Sequence, residues 1–206
     1  MQLRSGDQAQ IEADLVAGRI SCRRCGERLA PHGFGVEREV RTLGGSTRLR
    51  PRRAICASCR HTEVLGPAWM LPRRRDSAEV VLSAWRQRVA GASPRQVASL
   101  LARPLSSVRR WLAELSAHAE DLRSAATRRL HELDPCPPVL QPAGSTLGDA
   151  LEAVGQAIAA AVRRFGPSEQ LLLPVVLTGG SIARAAPARR AGVKMERPQR
   201  SEDERP

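Results

Sequence analysis

Two pairs of cysteines have the spacing that metal-binding proteins use for sulfur ligands. Cys22 and Cys25 form one Cys-x-x-Cys pair, Cys56 and Cys59 form the other, and residues 26–55 lie between them. A Cys-x-x-Cys turn presents two thiolates to one side, so two such turns supply four ligands to one ion. The sequence therefore predicts a Zn²⁺ site at these cysteines. Four protein ligands leave no position open for water or substrate, so the zinc is predicted to be structural.

Other cysteines and histidines offer alternatives at this site. Redox-active or free cysteines could have the same spacing, but they would not explain two matched pairs around a hairpin. His32 and His61 could each replace a cysteine, although a surface position explains each of them better. Cys136 stands alone between two prolines. It is predicted to be a linker thiol and not a ligand.

A β-hairpin is predicted to position the two cysteine pairs. Residues 34–41 and 48–55 have the composition of strands, and Leu43-Gly44-Gly45-Ser46 between them supplies glycines for a turn. Residues 21–66 are therefore predicted to form a zinc ribbon. Such a small module has little hydrophobic core, so metal binding would supply much of its folding free energy.

Positive charge is concentrated in the middle of the chain. The whole protein has 33 basic and 21 acidic residues, a net charge of +12. Residues 22–116 hold 19 arginines and 7 acidic residues, a net of +12, whereas the flanking segments net −1 (2 basic, 3 acidic) and +1 (12 basic, 11 acidic). A concentrated basic field attracts nucleic-acid phosphates, although a solvated surface is the alternative. With three Trp, two Phe and no Tyr, few aromatic side chains are available to stack on bases, which favours binding of duplex DNA over single strands.

A helical run is predicted over residues 76–133. Asp76, with Glu79 three positions later, is predicted to cap a helix over residues 77–90. Ser93 and Pro94 then predict the start of a second helix, with serine as the N-cap and proline in the first turn. Arg103-Pro104 ends that helix.

The third helix of this run is predicted to begin at Ser106 or Ser107 and to enter the major groove of DNA. Two short helices after a longer one are typical of a trihelical helix-turn-helix, in which the third helix leads with its N-terminal residues. Arginine can pair with guanine, and serine can bond bases or phosphates. A helical bundle with solvated arginines is the alternative. The apolar face comprises Val108, Trp111, Leu112 and Leu115, and the predicted DNA-contacting residues are Ser106, Ser107, Arg109 and Arg110.

Arg73, Arg74 and Arg75 directly precede the first helix of this run. A flexible basic arm at such a position can follow the minor groove. A soluble linker is an equally good interpretation, so both remain open.

Four stretches of this chain resemble a family of actinobacterial proteins of unknown function. That family in turn resembles the N-terminal DNA-binding region of insertion-sequence transposases. The resemblance spans residues 20–180 and implies that the four paired cysteines bind zinc and that the helix from Ser106 is the recognition helix. The stretches are Cys-x-x-Cys-Gly, Arg-Pro-Arg-Arg-Ala-Ile-Cys-Ala-Ser-Cys, Leu-Pro-Arg-Arg-Arg-Asp-Ser and Ser-Ser-Val-Arg-Arg-Trp-Leu.

The resemblance does not extend to the transposases' enzymatic domain. Those transposases continue into a nuclease domain with three separated metal-binding carboxylates, whereas 90 residues follow Ser116 here. The acidic residues of that segment lack the strand pattern of such a domain, so no catalytic residue is predicted. These residues are Asp121, Asp134, Asp149 and Glu152.

The expected fold class is mainly α with a small β zinc ribbon, followed by the helix-turn-helix and a helical C-terminal segment. The expected organisation is a leader (1–20), the ribbon (21–66), the helix-turn-helix with its basic arm and a trailing helix (67–133), a proline-rich linker (134–145), a helical segment (146–183) and a disordered tail (184–206). The helical segment could form a homodimer or pack back on the first domain, and the sequence does not choose.

The sequence predicts a bacterial, zinc-dependent, sequence-specific double-stranded DNA-binding protein without enzymatic activity. A transcriptional regulator or a mobile-element accessory factor would fit. The alternatives are a truncated transposase-like protein and a zinc-ribbon adaptor that binds a recombinase or polymerase. No secretory signal or transmembrane run is evident, so a cytoplasmic, nucleoid-associated location is expected, with no membrane and no small-molecule substrate as partners.

Overall fold

The structure, a computed structural model, describes residues 2–4 and 7–166. Six strands and six helices lie in these residues, and all strands but the first lie between the first and second helices. The strands are β1 (Gln2–Arg4), β2 (Leu29–Phe34), β3 (Arg38–Thr42), β4 (Gly45–Leu49), β5 (Arg52–Cys56) and β6 (Thr62–Pro67). The helices are α1 (Gln8–Val16), α2 (Ala78–Val89), α3 (Pro94–Leu100), α4 (Leu105–Ala117), α5 (Ala119–Leu133) and α6 (Thr146–Phe165).

A four-stranded sheet carries both cysteine pairs. Its strand order is β1-β6-β5-β2, with β1 parallel to β6 and the other pairs antiparallel. Helix α1 packs against this sheet, and together they bury a small cluster that includes two of the paired cysteines. The buried members are Ile11, Leu15, Ile20, Cys22, Leu29, Ala54, Cys56 and Leu65.

Strands β3 and β4 form a separate two-stranded hairpin, which we call the β3–β4 hairpin. Thr42 pairs with Gly45, so Leu43 and Gly44 form a two-residue turn at its tip. The turn therefore lies where the glycines predicted it. Gly45 has a φ of 141°, a backbone conformation that L side chains rarely adopt.

The helices α2–α6 share the larger hydrophobic core. Trp85 of α2 and Trp111 of α4 are almost fully buried in it, together with the inward faces of α5 and α6. Helix α6 packs along α5, and the Trp85 indole N–H donates to the backbone oxygen of Leu147, 3.0 Å away. The structure therefore places α6 back on the helical unit, which was one of the two alternatives.

The predicted fold class, mainly α with a small β zinc ribbon, is wrong. The protein has an α+β fold in which strands β1–β6 form two sheets, with α1 between β1 and β2, and five helices follow the strands. A single ribbon fails because Pro51 has no backbone N–H and interrupts the long hairpin. The backbone N–H of Gly35 donates to the Pro51 oxygen (2.7 Å) at this break, so β2 pairs with β5 and β3 pairs with β4.

Two predictions fall on residues that the structure does not describe. Residues 167–183 complete the predicted helical segment, and residues 184–206 are the predicted disordered tail. Both lie outside the described residues.

Candidate metal centre and nucleic-acid interface

The two Cys-x-x-Cys turns have the same backbone structure. Cys22 donates its N–H to the oxygen of Glu27 (2.7 Å), and Cys56 donates to the oxygen of His61 (2.9 Å), five residues on in each case. Gly26 and Arg60, which directly follow the turns, both have positive φ values of 80° and 58°. Because the two turns repeat one another, each presents its sulfurs in the same way.

The four sulfurs lie close together. The Sγ atoms of Cys22 and Cys59 are 3.7 Å apart, those of Cys25 and Cys56 are 3.4 Å apart, and all four lie within 4.8 Å of one another. A Zn–S bond of about 2.3 Å in a tetrahedral site implies sulfur separations of about 3.8 Å. The four cysteines could therefore hold one metal ion, as their spacing predicted.

Backbone N–H groups and neighbouring sulfurs set the acidity of these thiols. The Glu27 N–H lowers the pKa of Cys25, but hydrogen bonds with the sulfurs of Cys56 and Cys59 outweigh it and raise that pKa to about 12. The pKa of Cys56 is lowered to about 7, first by the Cys59 N–H, with burial opposing the change. The crowded sulfurs thus share protons, and a bound cation would remove this competition because coordinated thiols are deprotonated.

A buried carboxylate supports the first cysteine turn. Glu63 on β6 is almost fully buried, and its Oε1 accepts a hydrogen bond from the backbone N–H of Arg23 (2.9 Å). His32 and His61 are exposed and lie outside the cysteine cluster, as does the exposed Cys136.

Helix α3 begins as its sequence predicts. Ser93 is the N-cap, Pro94 is in the first turn, and Gln96 completes a capping box with Ser93. Helix α4 begins slightly earlier than predicted, at Leu105. Pro104 is its N-cap and makes no side-chain hydrogen bond, so Ser106 and Ser107 lie in its first turn and do not cap it.

Helix α4 has one buried and one exposed face. Val108, Trp111, Leu112 and Leu115 are buried, as their spacing predicted. Four residues on the opposite side are exposed: Ser106, Arg109, Arg110 and Ala113. Ser107 is half-buried at the edge of that face.

The predicted basic arm has one engaged residue between two exposed ones. Arg74 forms an ion pair with Glu114 of α4, and its backbone oxygen accepts from Nη2 of Arg38 (2.7 Å). Arg73 and Arg75 are exposed on either side of it. The arm is therefore fixed against α4 at Arg74, with two cations facing outward.

Asp76 has a role that the sequence did not reveal. Its side chain does not cap α2, because Ser77 is the N-cap and Glu79 instead accepts from the N–H of Leu43 (3.1 Å). Asp76 is buried and pairs with Arg41 on β3 (2.7 Å) and with Arg103 before α4 (2.8 Å). We call these three residues the Asp76 cluster. They join the β3–β4 hairpin to the start of α4.

No helix among the described residues is long and apolar enough to cross a membrane. The chain matches no family model, no curated protein and no solved structure.

Proposed function

We propose that this protein binds double-stranded DNA sequence-specifically, without enzymatic activity, and that its cysteine cluster holds a structural Zn²⁺. It would act as a transcriptional regulator or as an accessory factor of a mobile element. The observation that carries the proposal is the exposed face of α4, where Ser106, Arg109 and Arg110 project from a helix whose opposite face is buried.

The composition of this face suits the major groove. The guanidinium groups of Arg109 and Arg110 can donate two hydrogen bonds each to the edge of guanine. Ala113 adds no bulk beside them, so the helix backbone can approach the bases. The first turn of α4 has no side-chain cap, so the positive end of the helix dipole can attract a phosphate, although the N–H of Ser107 already donates to the oxygen of Pro104 (3.0 Å).

The acidic groups around α4 are already engaged within the protein. All five carboxylates between residues 38 and 117 accept hydrogen bonds from protein donors: Glu39 from Ser46, Glu63 from Arg23, Asp76 from Arg41 and Arg103, Glu79 from Leu43 and Glu114 from Arg74. Several arginines in the same region are exposed. They include Arg48, Arg50, Arg73, Arg75, Arg86, Arg95, Arg109 and Arg110. Such an unbalanced surface favours phosphate binding.

The chemistry of the metal follows from its four sulfur donors. Zn²⁺ commonly binds four cysteines in structural sites, and one ion fits the observed sulfur separations better than a cluster of several irons. Elemental analysis of the purified protein should give one zinc per chain. Iron in place of zinc would refute the assignment.

Selection of binding sites from a random duplex pool tests the DNA proposal. Zinc-loaded protein should enrich one motif, and a chelator should abolish the enrichment. Arg109→Ala should weaken binding to that motif by about 1–3 kcal/mol, or about 5- to 150-fold. Arg128→Ala removes an exposed arginine from α5 and is the matched control. Equal binding by both variants would refute the role of α4.

An exposed aromatic residue favours a second candidate, the zinc-ribbon adaptor that binds a recombinase or polymerase. Phe34 at the end of β2 is 51% exposed, and Val36 beside it is also exposed. Aromatic side chains at a surface often anchor protein interfaces. The random pool would distinguish the two candidates, because an adaptor predicts no enriched motif and unchanged duplex binding in Arg109→Ala.

A further inference from the structure

The β3–β4 hairpin is fastened to the helical unit along its length. The backbone N–H of Arg41 donates to the oxygen of Arg75 (2.6 Å), and the oxygen of Arg41 accepts from the N–H of Ser77 (2.9 Å). Near the tip, Nη2 of Arg103 donates to the oxygen of Thr42 (2.9 Å). The hairpin is therefore hydrogen-bonded to the helical unit, although its strands belong to neither the helical core nor the four-stranded sheet.

These contacts place the hairpin beside one flank of α4. Arg103, at the tip, directly precedes the N-cap of α4. At the other end of β3, Arg38 contacts the backbone of Arg74, whose side chain pairs with Glu114 in the third turn of α4. Arg110 lies one turn before Glu114 and is exposed. Arg74 and Arg103 thus connect the hairpin to α4 on the side of the helix where Arg110 lies.

Two arginines lie at the end of the hairpin's second strand, Arg48 on β4 and Arg50 directly after it. Arg48 and Arg50 are exposed, and neither forms an ion pair with a residue that the structure describes. Glu39, directly across the ladder from Arg48, accepts a hydrogen bond from Oγ of Ser46 (2.8 Å). Arg50 also lies 5.9 Å from the centre of the Phe34 ring, which leaves its guanidinium donors available.

We propose that the β3–β4 hairpin is a second DNA-contacting element, in which Arg48 and Arg50 bind backbone phosphates beside the groove that α4 enters. This inference rests on the proposed function. Phosphate contacts fix the orientation of a protein on the duplex without distinguishing bases. The hairpin would therefore set how α4 is aligned in the groove.

The test compares two double variants of the full-length, zinc-loaded chain. R48Q/R50Q removes the hairpin charges, and R53Q/R128Q removes two exposed arginines on β5 and α5. Binding to a short duplex of arbitrary sequence is measured by fluorescence anisotropy over a salt series. Loss of two phosphate contacts should reduce the slope of log K against log salt by about 1.8 in the hairpin variant alone. Thermal unfolding checks that both variants fold.

The outcomes separate this inference from the proposed function. A reduced slope and severalfold weaker binding in R48Q/R50Q alone would support the hairpin contact. A slope equal to that of the unmodified protein, while Arg109→Ala still loses affinity for its motif, would overturn the hairpin contact and leave the proposed function in place. If the unmodified protein binds neither a selected motif nor the duplex of arbitrary sequence, both the hairpin contact and the proposed function are overturned.

Discussion

Substitution of Asp76 tests whether a buried ion cluster holds the hairpin and the helices together. The Asp76 side chain is 5% exposed, and its partners Arg103 and Arg41 are 13% and 34% exposed. Removal of one partner from a buried ion pair costs about 3–5 kcal/mol. The Arg41 contact is partly exposed, so it should add less than about 1 kcal/mol.

The contacts that Arg103 keeps place the expected loss of stability near the lower end of the range for a broken buried ion pair. Arg103 also donates to the backbone oxygens of Leu101, Ala102 and Thr42, so its guanidinium stays partly satisfied after Asp76 is removed. We therefore expect Asp76→Ala to lower the free energy of unfolding by about 3 kcal/mol. Urea unfolding of the zinc-loaded protein, followed by the fluorescence of the buried tryptophans, measures it.

A serine at the same position distinguishes the ion cluster from a helix cap. If Asp76 capped α2, Asp76→Ser would retain nearly all stability, because serine and aspartate are comparable N-caps. In the ion cluster, serine should cost about as much as alanine, since both remove the charge. Asp121→Ala is the control, because Asp121 is 87% exposed and should change stability by less than about 0.5 kcal/mol. Full stability in Asp76→Ser would refute the ion-cluster interpretation.

Chelation of the metal, two glycine substitutions and a pH titration each test another contact. EDTA should reduce hydrogen-exchange protection in β5 and β6 while the buried tryptophans keep native fluorescence, because the two hydrophobic clusters are separate. Loss of the native tryptophan fluorescence together with the protection of β5 and β6 would contradict this expectation. Gly148→Ala should lower the free energy of unfolding by about 1–3 kcal/mol, because its Cβ would lie 2.9 Å from the Cβ of Ala143. Gly155→Ala, whose Cβ would lie in open space on the same helix, should raise the free energy of unfolding by about 0.5–1 kcal/mol. Urea unfolding measures both variants, and an equal change in the free energy of unfolding would contradict both expectations. The pKa of Asp134 is lowered by the Cys136 N–H and by a guanidinium, so its contribution to stability should be present above the ordinary carboxyl pKa of about 3.9 and be lost as pH falls through the lowered value. NMR titration should show that lowered pKa, and an ordinary value would contradict the contact.

Local chemistry made much of the metal cluster and of the helices predictable. The Cys-x-x-Cys spacing is a property of a few adjacent residues, and it correctly predicted that four sulfurs lie close together. Ser93-Pro94 and the apolar spacing of α4 likewise depend on one or two turns of helix. Such patterns can be recognised without knowledge of the rest of the fold, because the contacts they specify are close in sequence.

Contacts between distant segments were not predictable from the same patterns. Asp76 has the composition and position of an N-cap, and only the approach of Arg41 and Arg103 makes it a bridging carboxylate. The packing of α1 on the sheet depends on residues far along the chain. Proline disfavours strand pairing, but the strand-like composition on both sides of Pro51 predicted one continuous hairpin across it.

Two sets of contacts at opposite ends of the hairpin connect the cysteine cluster to α4. The cysteine turns follow β5 and precede β2, and the Gly35–Pro51 hydrogen bond joins these strands to the base of the hairpin. The Asp76 cluster joins the other end of β3 to the start of α4. If metal binding orders β2 and β5, it therefore also limits where the hairpin base can lie. On the proposed function, the zinc site would contribute to DNA recognition by fixing the orientation of the hairpin, while the helical core alone maintains the fold of α4.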